Sequence, residues 1–160
     1  MKTEEKKTEE KKAETKKSEE KTKLFLIDDD AVFLKSLEIE FLENVDFDIQ
    51  TYQTGELALA KLKEINPDIV ILDYHLDSID LDAMNGIEVL DKIKEHNPDT
   101  PVIMLSSQDD INVAINCMHH KALDYVVKSE TAFLRLQKII TSIFKMKKMA
   151  KQLNWYMDRL

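Results

Sequence analysis

The sequence has little cysteine, little glycine and no long apolar run. It has a single cysteine, Cys117, so an internal disulfide is impossible. Only two glycines, Gly55 and Gly86, occur among 160 residues, which excludes a glycine-rich phosphate-binding loop. No apolar run approaches the roughly 18–20 residues that a membrane-spanning helix needs. These absences predict a cytoplasmic protein that neither crosses nor binds a membrane.

Positive charge is scarce outside one segment. The chain has 31 acidic and 23 basic residues, for a net charge of -8. Residues 1–23 hold nine lysines and seven glutamates, so residues 24–160 carry a net charge of about -10. Nucleic-acid binding requires a basic face that neutralises phosphates, so this acidic body argues against a nucleic-acid partner.

Residues 1–22 form a low-complexity tract of lysine, glutamate and threonine. Its only apolar residues are Met1 and Ala13, and so little burial cannot offset the entropy lost on ordering. We therefore predict a charged, disordered tail, although lysine and glutamate at helical spacing would also permit a fraying helix. The charged start also lacks the apolar stretch of a signal peptide.

From Lys23 onward, short apolar runs alternate with helical patterns. The runs predict strands at residues 24–27, 47–52, 69–72, 102–105 and 125–127. Apolar residues at helical spacing predict helices at 32–43, 55–65, 87–95 and 110–120, and one that begins near Thr131. Three of the strands are apolar throughout, as strands buried on both faces must be. The alternation predicts an α/β domain with a parallel sheet between two layers of helices.

Polar residues follow four of these strands at their carboxyl ends. They are Asp28 and Asp29, Asp73, Ser106 and Lys128. The carboxyl ends of parallel strands share one edge, where ligands of such sheets bind. Clustered carboxylates repel one another unless a hard cation such as Mg²⁺ lies among them. A carboxylate can also attack phosphorus, with a metal and an ammonium neutralising the phosphoryl oxygens. The pattern therefore favours phosphoryl chemistry on an aspartate.

Four segments of the sequence resemble the signature segments of response-regulator receiver domains. They read LFLIDDDAVFL, PDIVILDYHLDS, PVIMLSSQ and DYVVKSE, and the resemblance covers residues 23–145. It implies a flavodoxin-like, doubly wound, five-stranded parallel sheet of order 2-1-3-4-5. It also implies a single-domain two-component protein that receives phosphate from a histidine kinase or a histidine phosphotransfer protein. Such a receiver catalyses only its own phosphorylation and dephosphorylation.

Carried over position by position, the resemblance assigns roles to the residues at the sheet edge. Asp73 would be the phosphoacceptor, with Lys128 as its ionic partner and Ser106 in contact with the phosphoryl group. Tyr125 stands where the family has a switch aromatic, which swings inward when the hydroxyl residue moves. The resemblance also implies a Mg²⁺ site formed by Asp28, Asp29, Asp73 and the backbone carbonyl of His75.

The sequence departs from the family pattern in two places. Gly86 lies thirteen positions after Asp73, where the family has a shorter loop that contains a proline. The extra stretch, residues 78–83, contains two further aspartates. Ser129 follows the lysine where the family has a proline, commonly cis, so the backbone there is expected to be trans. We expect these changes to affect switching and phosphate lifetime more than the pocket.

Two other functions fit part of the pattern. A pseudo-receiver would keep the fold as an interaction module that works without phosphorylation. Residues 28–32 also fit the D-x-D-x-V motif of haloacid-dehalogenase-type phosphatases. That family needs an acidic pair on a further strand, and only Glu130 and Asp158 are acidic after Lys128. The receiver remains the favoured interpretation.

The C-terminal residues carry a heptad pattern. Apolar residues alternate at spacings of three and four, at Leu136, Ile139, Ile143, Met146, Ala150, Leu153, Met157 and Leu160. No glycine or proline interrupts residues 131–160, which predicts one continuous helix. Its distal part, residues 146–160, would extend beyond the receiver and is too short for a DNA-binding domain. We expect this helix to mediate self-association or partner binding.

Overall fold

The computed structural model describes residues 21–43 and 46–160, so the predicted tail lies outside the described residues except for Lys21 and Thr22. The strands are β1 (Thr22–Ile27), β2 (Phe47–Tyr52), β3 (Ile69–Asp73), β4 (Val102–Ser106) and β5 (Asp124–Val127). The helices are α1 (Ala31–Leu42), α2 (Gly55–Ile65), α3 (Gly86–His96), α4 (Ile111–His119) and α5 (Ala132–Met157). The predicted elements are all present, with ends displaced by at most three residues.

The five strands are parallel and lie in the order β2-β1-β3-β4-β5, as predicted. The strand order reverses between β1 and β3, and this reversal opens a crevice at their carboxyl ends. Ile27 of β1 pairs with Leu72 of β3. Asp28 and Asp73 are the next residues on the two strands, so the register brings both aspartates to the same point on the edge.

Two buried layers hold the helices against the sheet. Successive residues of a strand point to opposite faces, so Leu24 and Leu26 pack against α1 and α5. Phe25 and Ile27 point the other way, toward α2, α3 and α4. Cys117 of α4 is fully buried in this second layer. Burial raises the pKa of its thiol to about 11, so the single cysteine packs as an apolar residue.

Helix α5 is buried only along its first half. Its buried residues end at Ile143, and every residue from Phe144 to Leu160 is exposed. Trp155, the chain's single tryptophan, lies in this extension with the Arg159 guanidinium 3.7 Å from its ring centre.

Among the helices of residues 21–43 and 46–160, none combines the length and apolarity needed to cross a membrane.

Gly86, the first residue of α3, lies against the backbone that follows Asp73. Its amide donates a hydrogen bond to the Tyr74 carbonyl at 3.0 Å. A methyl group at position 86 would lie 2.7 Å from the Tyr74 Cα and 2.8 Å from its carbonyl oxygen. These distances are shorter than van der Waals contact, so only glycine lets the long β3–α3 loop return this close to the strand end.

We expect Gly86→Ala to destabilise the protein by about 1–3 kcal/mol, because the added methyl must displace the backbone after Asp73. Urea unfolding measures this change. Helix propensity alone predicts the opposite sign, since alanine favours a helix over glycine by about 1 kcal/mol. A stability equal to or above that of the wild type would therefore contradict the close approach.

Candidate functional site

Three aspartates form a buried acidic cluster at the edge between β1 and β3. Asp28 and Asp73 are 1% and 2% exposed, and Asp29 is also buried. One carboxylate oxygen from each lies within 4.8 Å of the others. The register of β1 against β3 brings the three carboxylates together, as the sequence predicted.

Lys128 lies over this cluster from the end of β5. Its Nζ is 2.7 Å from Asp28 Oδ2 and 3.5 Å from Asp73 Oδ1. The same ammonium is 4.7 Å from the centre of the Phe33 ring, a cation–π contact. The Lys128 amide donates to the Ser106 carbonyl at 2.7 Å, which fixes the lysine backbone against β4.

Ser106 and Tyr125 are connected through the backbone of Gln108. Ser106 is fully buried, and its Oγ accepts a hydrogen bond from the Gln108 amide at 3.1 Å. The Tyr125 hydroxyl donates to the Gln108 carbonyl, with the ring partly buried against the second core layer. The sequence placed both residues near the site, but nothing in it indicated the residue that links them.

His75 contributes backbone groups to the site. Its amide donates to Asp73 Oδ1 at 3.4 Å, and its carbonyl accepts a hydrogen bond from the Ser78 hydroxyl at 3.0 Å. The Ser78 amide in turn donates to Asp29 Oδ2 at 3.2 Å. Sequence reasoning missed Ser78; the one signal was the unusual length of the loop that carries it.

The rest of the long loop forms its own turn away from the acidic cluster. Asp80 Oδ1 accepts from the Asp82 amide at 3.0 Å, and the Asp80 carbonyl accepts from the Ala83 amide at 3.1 Å. Both aspartates are exposed. The Met84 amide donates to Glu56 Oε1 of α2 at 2.7 Å, so the loop is tied down before α3 begins. The peptide bond between Lys128 and Ser129 is trans, as expected.

The cluster has an uncompensated negative charge. Burial, together with the negative charge of Asp28, raises the pKa of Asp73 to about 8. Burial also raises the pKa of Asp28. For Lys128, burial acts to lower the pKa, but the hydrogen bond to Asp28 and the charges of both aspartates raise it above its usual value. The ammonium balances one of three carboxylates, so the fully ionised cluster carries a charge of -2.

The donor set suits a small divalent cation. The three carboxylates and the His75 carbonyl offer only oxygen, which Mg²⁺ prefers, and a charge of +2 would neutralise the cluster. Receiver domains, which the sequence resembles, generally bind Mg²⁺ through an acidic pocket. The residues present therefore fit the Mg²⁺ site that the sequence led us to expect.

We expect the cation-free protein to lose stability as the pH rises from about 4 to 8. The folded protein holds the Asp73 proton up to about pH 8, whereas the ordinary pKa is 3.8, so stability present below pH 4 is lost over this range. Asp73→Asn cannot ionise and should reduce the loss, which raises the urea midpoint at pH 8. Asp80→Asn on the exposed loop is the matched control. An Asp73→Asn variant whose stability falls as steeply as the wild type would refute the prediction.

Comparison with known sequences identifies the family. The model of the response regulator receiver domain matches residues 24–141. Regulatory protein LuxO of Vibrio cholerae is 30% identical over 100 residues, which are 62% of this chain and 21% of LuxO. A protein-glutamate methylesterase/protein-glutamine glutaminase of Bacillus licheniformis is 36% identical over 107 residues, or 64% of this chain and 28% of that protein. The chain thus matches less than a third of the length of either relative.

Solved structures show the same fold. The signal receiver domain of a putative LuxO repressor protein from Vibrio parahaemolyticus has a TM-score of 0.69 at 24% identity, covering 83% of this chain and 97% of that one. A CheY-like receiver domain protein from Methanospirillum hungatei has a TM-score of 0.68 at 22% identity, covering 81% and 98%. The sheet order, the acidic pocket and the family match agree, and this chain belongs to the response regulator receiver domain family of two-component signalling.

Proposed function

We propose that this chain is a phosphorylatable receiver in a two-component phosphorelay, and that Asp73 accepts the phosphoryl group from a phosphohistidine. The donor would be a histidine kinase or a histidine phosphotransfer protein in the cytoplasm. The observation that carries the proposal is the Lys128 ammonium shared between Asp28 and Asp73, at 2.7 and 3.5 Å. Burying three carboxylates around one lysine does little for stability, so phosphoryl chemistry accounts for the cluster better than folding does.

In the proposed reaction an Asp73 oxygen forms a bond to phosphorus while the nitrogen–phosphorus bond of the donor breaks. The donor imidazole leaves with the bonding electron pair, and Asp73 becomes an acyl phosphate. Lys128 would neutralise one equatorial oxygen of the phosphoryl group. Ser106 accepts its present hydrogen bond from an amide, so its own O–H remains available to donate to a second oxygen.

Asp28, Asp29, Asp73 and the His75 carbonyl are proposed to hold Mg²⁺. When bound, the cation supplies positive charge that offsets the charge on the phosphoryl oxygens. Asp73 has two carboxylate oxygens, so one can ligate the cation while the other attacks phosphorus. Asp28 and Asp29 follow β1, the strand that pairs with β3, so they would bind the cation from the strand next to the acceptor.

The contacts of Gln108 suggest how phosphorylation is communicated to the surface. If Ser106 turns toward the phosphoryl group, it gives up its contact with the Gln108 amide. The Gln108 carbonyl holds the Tyr125 hydroxyl, so movement of this backbone segment frees the tyrosine ring. Ser106 and Tyr125 would then act as the switch pair, and the surface formed by α4 and β5 would change with the state of Asp73.

We further propose that the exposed end of α5 binds a second copy of the chain. Met146, Leu153 and Met157 are 67%, 60% and 60% exposed, and they continue the heptad seam beyond the domain. Residues 145–160 also carry four lysines and an arginine against one aspartate. A partner must therefore cover this apolar stripe without bringing its own positive charges close to the lysines.

A parallel second copy meets this requirement. With Ala150 at position a and Leu153 at position d, three of the lysines fall at outer positions of the heptad, namely Lys145, Lys148 and Lys151. The flanking pairs between parallel helices are then Ser142 with Lys147 and Met149 with Asn154, so no like charges meet across the seam. The exposed seam spans only about two heptads, so a weak dimer is expected.

The first test is phosphorylation. Incubation with acetyl phosphate and Mg²⁺ should add the mass of one phosphoryl group to the intact protein, and Asp73→Asn or removal of Mg²⁺ with a chelator should abolish it. Asp80→Asn, an exposed aspartate nearby in the chain, should behave like the wild type. A phosphorylated product that persists in Asp73→Asn would refute the assignment. No gain in mass by the wild type would favour the phosphorylation-independent interaction module.

The second test is association through α5. The full chain should show a concentration-dependent monomer–dimer equilibrium in analytical ultracentrifugation, and a chain truncated after Phe144 should stay monomeric because it lacks the exposed seam. Leu153→Lys should abolish association, whereas Gln152→Lys, an outer position of the same helix, should preserve it. A full chain that is monomeric at high concentration, with and without phosphorylation, would rule out the second copy.

A further inference from the structure

Ser78, in the long loop between β3 and α3, touches two of the groups proposed to hold the cation. Its amide donates to Asp29 Oδ2 at 3.2 Å, and its hydroxyl donates to the His75 carbonyl at 3.0 Å. Asp29 follows β1 and His75 follows β3, so one residue bridges the two sides of the crevice. Neither hydrogen bond is required to form the sheet or the helices.

Both hydrogen bonds are compatible with a bound cation. A carboxylate has two oxygens, and a carbonyl oxygen has two lone pairs. Ser78 occupies one oxygen of Asp29 and one lone pair of the His75 carbonyl, which leaves the other of each available to the ion. Partners of this kind fix the orientation of a ligand group and strengthen metal binding.

The loop is built to hold Ser78 in place. The turn at Asp80 closes its tip through the Asp82 and Ala83 amides. The Met84 amide bonds to Glu56, and the Gly86 amide bonds to the Tyr74 carbonyl, so the returning end is fixed at two points. Ser78 therefore lies in a loop whose backbone is held by hydrogen bonds, and this supports its contacts with Asp29 and His75.

We propose that Ser78 is a positioning residue of the cation site, which orients the Asp29 carboxylate and the His75 carbonyl for Mg²⁺. The inference rests on the cation site of the proposed function. It assigns a role to the extra length of this loop, since the added residues begin with Ser78, whose hydroxyl contacts His75 after β3 and whose amide contacts Asp29 after β1. The serine hydroxyl contacts the His75 carbonyl and the serine amide contacts Asp29, and neither group is proposed to contact the cation itself.

The test is the Mg²⁺ affinity of the full chain, measured by NMR titration of backbone amides. We expect Ser78→Ala to weaken binding about 3- to 10-fold, the effect of losing one hydrogen bond to a ligand group. Ser78→Thr keeps the hydroxyl and should restore binding. Ser142→Ala is the matched control, because the Ser142 hydroxyl donates to the Lys138 carbonyl at 3.0 Å on α5, on a helix that contributes no residue to the site. It should bind as tightly as the wild type.

The sign of the change in Mg²⁺ affinity decides whether the proposal holds. Unchanged affinity in Ser78→Ala would show that the serine hydroxyl has no role, and tighter binding would show that the hydroxyl competes with the ion. Either result overturns the proposal. Urea midpoints of the two alanine variants separate loss of the contact from general unfolding, and a Thr variant as weak as Ala would count against the hydroxyl. An Asp28→Asn/Asp29→Asn double variant that binds like the wild type would instead remove the cation site, and the Ser78 proposal with it.

Discussion

Repulsion among three buried carboxylates is the constraint on which the sheet edge depends. The register of β1 against β3 leaves Asp28 and Asp73 no room to separate, and burial removes the water that would screen them. Lys128 relieves part of the repulsion from the end of β5, which lies two positions from β3 and three from β1 in the sheet. Lys128 reaches the carboxylates because of the strand order, the position of the end of β5 and the shape of the crevice.

Most of the architecture could be predicted because it follows from repeated, local patterns. Fully apolar runs such as 69–72 and 102–105 are typical of central strands of a parallel sheet, and the helices between them show plain periodicity. The order 2-1-3-4-5 came from the family resemblance, since periodicity does not say which strands are neighbours. Asp28, Asp73 and Lys128 were expected at one edge once the strands were parallel, because each follows the carboxyl end of its strand.

What the sequence could not predict lies in hydrogen bonds made by irregular backbone. The bridge from Ser78 to Asp29 joins residues 49 apart and depends on the path of a loop that has no periodicity. The same is true of Gln108, whose amide and carbonyl connect Ser106 with Tyr125 and whose side chain plays no part in either bond. A residue that acts through its main chain leaves no trace in its identity, so motif reasoning passes over it.

The position of Trp155 determines what the tryptophan fluorescence of this protein reports. The indole lies in the exposed extension beside Arg159, and that extension begins only after the last buried residue of α5. Its emission therefore reports the surroundings of the extension and has no direct view of the acidic pocket. A change in Trp155 fluorescence on adding a cation or a phosphoryl donor would mean that the pocket and the end of the helix are energetically coupled. The native indole can therefore be used to measure that coupling.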